Sequence, residues 1–226
     1  MYSGQPIHWL NTTHQFSFGT YYNKDRVNFG ALRVVNDDIV APRSGFETHP
    51  HNDMEIISYV IKGALTHRDS IGSHGVIGRG EVQYMSAGRG ISHSEINEGA
   101  EPTRLLQIWI LPDRQNLEPA YGEYKFDWHE RENKLLHLVS GENSSAPVKL
   151  NQDVNIYAIE LDTGTAFDFT VAENRQCYVV QVEGASDING FSLKEKDALE
   201  TVGQSLNIRA PGKSHLLFIE MQKSTV

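Results

Sequence analysis

Two short segments of this 226-residue chain carry residue types at a spacing that could grip a metal ion. His49-Pro50-His51 sets two imidazoles two residues apart, and His93-Ser94-Glu95 repeats the interval with an imidazole and a carboxylate. On an extended strand residues i and i+2 project to the same face, so each segment is a two-pronged clamp. Two such strands side by side bring three nitrogens and one oxygen to a single point. Donors of this kind suit one divalent first-row ion (iron, manganese, cobalt, nickel, copper or zinc), whereas the lack of thiolates disfavours an iron–sulfur centre or a closed structural zinc. Four protein ligands on an octahedral ion leave two positions open, enough for a substrate oxygen beside dioxygen or water. Glu55 shares the parity of His49 and His51 and competes with Glu95 for the fourth ligand position. The loser of that competition is read as a base or orienting group behind the ligands.

The other histidines lack such pairing. His8, His14, His129, His137 and His215 are read as surface or hydrogen-bonded residues, and His67 and His74 as solvated groups near a loop or barrel rim. Asp53 beside Asn52 reads as a turn or solvated edge, and Cys177, within an apolar run, as a small buried hydrophobe.

The elements that must position the clamps are strands. Short strands recur between Gly-rich turns: Ile56 to Ile61, rich in β-branched residues, Ala64 to Asp69, Glu81 to Met85 and the strongly apolar Leu105 to Leu111. Helical periodicity is hard to find anywhere, so the fold class is all-β, a sandwich or barrel. Ahead of the clamps, Asn36-Asp37-Asp38 reads as a turn between Ala31–Val35 and a segment that ends at Pro42. The second half repeats the first. Tyr178 to Ala185 parallels Tyr59 to Ala64, and Leu216 to Met221 parallels Leu105 to Ile110. With Gly63 set on Gly184, the positions of His49, His51 and Glu55 fall on Thr170, Ala172 and Gln176, and Gln204 to Ser214 offers no histidine, carboxylate or cysteine. The second copy is therefore expected to hold no metal. The boundary falls in the polar stretch between Glu118 and Asn133, giving a metal-binding domain over 1–125 and a ligand-free one over 126–226.

A formal net charge of -9, with no basic stripe interleaved with aromatics, argues against direct nucleic-acid binding. The single cysteine excludes an intramolecular disulfide. The N-terminus lacks a signal-peptide pattern and no run has bilayer length, so the expected compartment is the reducing cytoplasm, away from membranes. No signature of a protein partner is evident.

Gly45, His49-Pro50-His51, Glu55, Gly63, Gly80, Gly88, His93 and Asn97 resemble the two cupin motifs, although Gly45 stands closer to the histidine than is usual and Ser86 occupies a place where proline is common. More narrowly, Phe16-Ser-Phe-Gly19, Leu32 to Asp38, Gly45-Phe46 with the first clamp, and Ser86 to Glu95 resemble the pirin family, densely over about residues 14 to 112. The resemblance implies two tandem cupin β-barrels of jelly-roll type, a bicupin, in which the N-terminal barrel alone binds metal, usually iron(II). It carries the family's ligands onto His49, His51, His93 and Glu95, leaving Glu55 behind them. It further implies a quercetin 2,3-dioxygenase activity that opens a flavonol ring with O2 and releases carbon monoxide. In that scheme the substrate's 3-hydroxyl loses its proton at the ion to a nearby carboxylate, Glu95 or, failing that, Glu55. The aromatic N-terminal segment, with Trp9, Phe16, Phe18, Tyr21, Tyr22 and Phe29, would wall a planar substrate. The same resemblance admits a non-enzymatic, redox-responsive regulatory protein, and the barrel itself admits an isomerase or another dioxygenase.

Overall fold

The computed structural model describes residues 2–4, 8–141 and 144–223. Met1, Gln5 and Pro6 of the N-terminal segment fall outside that range. The chain divides into two compact units, Met1–Phe126 with Leu150–Gln152, and Asp127–Lys149 with Asp153–Val226.

The first unit contains β1 (Tyr2–Ser3), β2 (Leu10–His14), β3 (Leu32–Val40), β4 (Ser44–His51), β5 (Glu55–Lys62), β6 (Ala64–Asp69), β7 (His74–Gly78), β8 (Val82–Ser86), β9 (Ile91–Asn97), β10 (Thr103–Ile110) and β11 (Ala120–Tyr124). These form a seven-stranded sheet in the order β1-β2-β3-β10-β5-β8-β11 and a four-stranded sheet in the order β4-β9-β6-β7. The remaining strands are β12 (Leu136–Gly141), β13 (Val148–Leu150), β14 (Val154–Leu161), β15 (Ala166–Phe169), β16 (Arg175–Glu183), β17 (Ala185–Ile188), β18 (Phe191–Lys194), β19 (Ala198–Val202), β20 (Leu206–Arg209) and β21 (Ser214–Gln222). Here the sheets run β13-β12-β14-β21-β16-β19 and β15-β20-β17-β18. Among the described residues the only helix is one 3-10 turn, Trp128–Arg131, capped by Asp127. Among the described residues no helix is long and apolar enough to cross a membrane. The all-β expectation holds.

The internal repeat is visible strand by strand. β3-β10-β5-β8 and β14-β21-β16-β19 have the same order and antiparallel pairing, as do β4-β9-β6-β7 and β15-β20-β17-β18. In each copy the chain crosses from one sheet to the other at a glycine with positive φ, Gly63 at 81° between β5 and β6 and Gly184 at 75° between β16 and β17, a conformation that penalises any side chain. Each unit buries its own core. In the first, Val40, Val60, Leu65, Ile77 and Leu105 cluster between the two sheets, and in the second Ile159, Val179, Ile208, Leu216 and Phe218 do so. Cys177 belongs to that second core, fully buried, as expected.

The anticipated turn at Asn36-Asp37-Asp38 does not exist: β3 runs straight through it, with all three residues buried. Turn-forming side chains remain in a strand here because each face supplies partners. Asp37 receives a two-nitrogen contact from Arg104 on β10, at 3.0 and 2.7 Å, and Asn36 Oδ1 lies 2.8 Å from His14 Nδ1 on β2. Local propensity yields to tertiary hydrogen bonding.

Candidate metal centre

β4 and β9 carry the two clamps, and their register sets His49 opposite His93. β4 is an edge strand, so Pro50 removes no ladder donor from a neighbour. Between Phe46 and His49 the register shifts by one residue, a β-bulge that leaves Glu47 and Thr48 outside and re-aims the side chains that follow. The three rings meet with centroids 4.6 Å (His49–His93), 4.8 Å (His49–His51) and 5.0 Å (His51–His93) apart. One nitrogen from each lies within 4.8 Å of the others.

Hydrogen bonding dictates which nitrogens are offered. His49 Nδ1 lies 2.7 Å from the carbonyl oxygen of Glu47; a carbonyl only accepts, so Nδ1 holds the proton and Nε2 keeps its lone pair. His51 Nε2 is buried and has no hydrogen-bond partner among the described residues. Burial first, and then the neighbouring imidazoles, push the His51 pKa down to about 4 and that of His93 to about 3. Both rings are neutral at physiological pH. An orphaned buried nitrogen between two further imidazoles fits a divalent first-row ion.

Glu95 lies on the same face of β9 as His93, also buried. Its Oε1 accepts from Ser58 Oγ and Gln83 Nε2, each at 2.7 Å, and its Oε2 accepts from Gln107 Nε2 at 2.6 Å. It groups within 4.8 Å with His93 and with His67, expected near a loop or barrel rim. His67 instead lies inside β6, completely buried, opposite Glu95 across the ladder. The signal that could have found it is the His67-Arg68-Asp69 alternation, which repeats the spacing of the clamps.

Glu55 is not brought to the cluster. β4 ends at His51, the chain turns through Asp53 at φ 45°, and β5 starts in the other sheet, so the parity that linked Glu55 to the histidines is broken. Its fully buried carboxylate accepts from Tyr84 Oη (3.0 Å), Ser86 Oγ (2.7 Å), Asn151 N (3.0 Å) and Asn151 Nδ2 (3.2 Å). Burial and then the Glu55 charge raise the Tyr84 hydroxyl above the ordinary phenol range. Asp53 performs the turn role expected of it, its Oδ1 accepting from Asn116 N at 2.7 Å.

A cavity of about 430 Å³ opens onto His49, His51, His93 and Glu95. Trp9, Phe18, Phe46, Ile56 and Trp109 form its apolar wall, and Thr12, His14, Asn36, Asp38 and Gln107 its polar one. Of the N-terminal aromatics expected there, Trp9 and Phe18 arrive; Phe16 is buried in the core and Tyr22 is 77% exposed. The indole of Trp109 stands edge-on to His51 at 4.9 Å, and its buried Nε1 has no hydrogen-bond partner among the described residues. His14, set aside in the sequence, lines this space as well. His74, His8 and His129 are exposed, while His137 and His215 are held by Asn155 and Glu183 at 3.1 and 2.9 Å.

Comparison with known proteins gives the geometry its context. The Pirin family model matches residues 2–110 and the model of the quercetinase C-terminal cupin domain matches residues 137–221. A protein of Escherichia coli named quercetin 2,3-dioxygenase is 36% identical over 94% of this chain and 92% of its own length. The chain belongs to the pirin family. A pirin-like protein of Caulobacter vibrioides is 41% identical, over 84% of this chain and 82% of its own. The crystal structure of the bacterial pirin YhhW from Escherichia coli in complex with nickel(II) superposes with a TM-score of 0.92 at 34% identity, covering 98% of this chain and 96% of that one. This pirin is thus built of two cupin domains in tandem, with a His/Glu cluster of metal-binding type in the first.

Proposed function

We propose that this pirin is a metal-dependent dioxygenase that opens the ring of a quercetin-like flavonol with O2 and releases carbon monoxide. The observation that carries the reading is the orphaned Nε2 of His51, flanked by His49 and His93, on the wall of an aromatic-lined cavity of about 430 Å³. That volume lies in the usual range for small-molecule sites. The name of the Escherichia coli relative and the nickel complex of YhhW support it. We assign His49, His51, His93 and Glu95 as ligands of iron(II) in the cell, and the second cupin domain, from about residue 126, as the half without a metal. The lone cysteine supports a reducing, cytoplasmic setting.

When bound, the ion supplies a Lewis acid that lowers the pKa of a phenolic hydroxyl. The protein's part is binding, orientation and proton custody. Trp9, Phe18, Phe46 and Trp109 enclose a planar ring system and exclude water, and the Trp109 indole N–H donates to a substrate oxygen beside His51. Glu95 receives the substrate's proton. Its three donors, Ser58, Gln83 and Gln107, stabilise the carboxylate and aim it. Glu55, occupied by four donors elsewhere, is assigned a structural role.

A cavity that reaches the three histidines favours catalysis over a purely regulatory role, for which a sealed ion would serve. The test is aerobic incubation of metal-loaded protein with quercetin. Flavonol loss with CO release, abolished in a His49→Ala, His51→Ala variant, is expected; equal rates in the two proteins would overturn the proposal.

A further inference from the structure

We propose that His67, held by Asp69 and Tyr121, is a positioning residue that sets the tautomer of His93, so that His93 offers its Nε2 lone pair to the ion. The inference rests on the metal reading above.

His67 Nε2 lies 3.0 Å from Asp69 Oδ2, with both side chains fully buried. A carboxylate only accepts, so the proton resides on Nε2 and His67 Nδ1 is left with a bare lone pair. That Nδ1 faces Nδ1 of His93 at 3.5 Å. Two bare nitrogens facing each other away from water repel; a proton on His93 Nδ1, pointing at His67, relieves both. His93 Nε2 is then the nitrogen without a proton. The separation is long for a hydrogen bond, so the effect is orientation and electrostatic bias more than bond strength.

The rest of the local structure fixes His67 for this task. Asp69 Oδ1 accepts from Ile71 N at 3.0 Å and Ser73 N at 2.8 Å, which locks the carboxylate. The Tyr121 ring stacks on the imidazole at 4.3 Å with an interplanar angle of 18°. The β6–β9 register sets Asp69 directly opposite His93. A carboxylate behind a histidine behind a ligand is an extended version of the outer contact that orients ligating imidazoles. His49 obtains the same service from the Glu47 carbonyl.

A rival use of the same atoms is a second ion held directly by His67, His93 and Glu95, whose donors also lie within 4.8 Å of one another. Nickel(II) titration of the metal-free protein, with chelator competition to fix the dissociation constant, separates the two. His67→Phe keeps a ring against Tyr121 and removes both nitrogens; His67→Asn restores an amide acceptor near the Nδ1 position. We expect one ion per chain in the parent and in both variants, with an affinity loss of roughly 10- to 100-fold for Phe that Asn largely recovers. Thermal unfolding of each apoprotein shows whether it is folded. Should Phe fail to fold, Asp69→Ala replaces it, with affinity loss again expected. Two ions per chain, one of them lost in His67→Phe, would overturn the proposal, as would unchanged affinity in a folded His67→Phe or, in its place, Asp69→Ala protein. A parent protein that takes up no nickel would instead sink the metal reading itself.

Discussion

An imidazole can ligate only through a nitrogen that is free of its proton and shielded from competing donors. In this pirin the Glu47 carbonyl meets that condition for His49, and burial meets it for His51. Replacing His51 by Ala is expected to weaken metal binding by more than about 100-fold, beyond the effect of removing an outer partner, as read by calorimetric titration. Glu55 makes the opposite prediction. Glu55→Ala strands several buried donors and is expected to cost roughly 2–4 kcal/mol of stability, measured by urea unfolding, while metal affinity stays within about twofold. Protonation gives a third. In the metal-free protein His51 and His93 titrate near 4 and 3, below an unfolded value of 6.5. Between those limits the unfolded chain binds protons that the native site refuses, so the contribution of these two rings to stability is fully present above about pH 6.5 and is lost as the pH drops toward about 3. A His51→Gln apoprotein should show a shallower fall in its urea midpoint across that window.

Strands deliver these residues, and strand geometry decides how much of the site was legible. Alternation within one strand is a local property, so His49 with His51 and His93 with Glu95 could be read from spacing alone. Parity across a bend is not local. Glu55 looked equivalent to His51, but the turn at Asp53 passes the chain to another sheet. Asn36-Asp37-Asp38 looked like a turn because the sequence cannot display Arg104 and His14 waiting on neighbouring strands. His67 was legible only in part: its alternation with Asp69 is local to β6, but His93 and Tyr121, which enclose it, lie on β9 and β11. One prediction belongs at this scale. A Cβ on Gly45 would collide with the carbonyl oxygen of Glu95 and sit 2.7 Å from Ile96 Cα. Gly45→Ala must therefore push β4 off β9, and we expect nickel affinity to fall about tenfold or more, in line with the loss of an orienting contact, although Gly45 touches no ion.

At the scale of the molecule, duplication explains why two cupin domains share a strand order while, among the described residues, the histidine cluster lies in the first. Repeated apolar runs and turn glycines specify the sheets twice, whereas the proposed ligands are side chains of one copy. Binding an ion to the native state alone stabilises it, by about 2.7 kcal/mol at a free concentration 100 times the dissociation constant. A chelator should return the unfolding transition to its apoprotein position. The whole account depends on three imidazoles of the first domain acting on one ion. Elemental analysis of protein purified without added metal tests this most directly: about one divalent first-row ion per chain is predicted for the parent and almost none for His51→Ala, and a His51→Ala protein that keeps its full complement would contradict it.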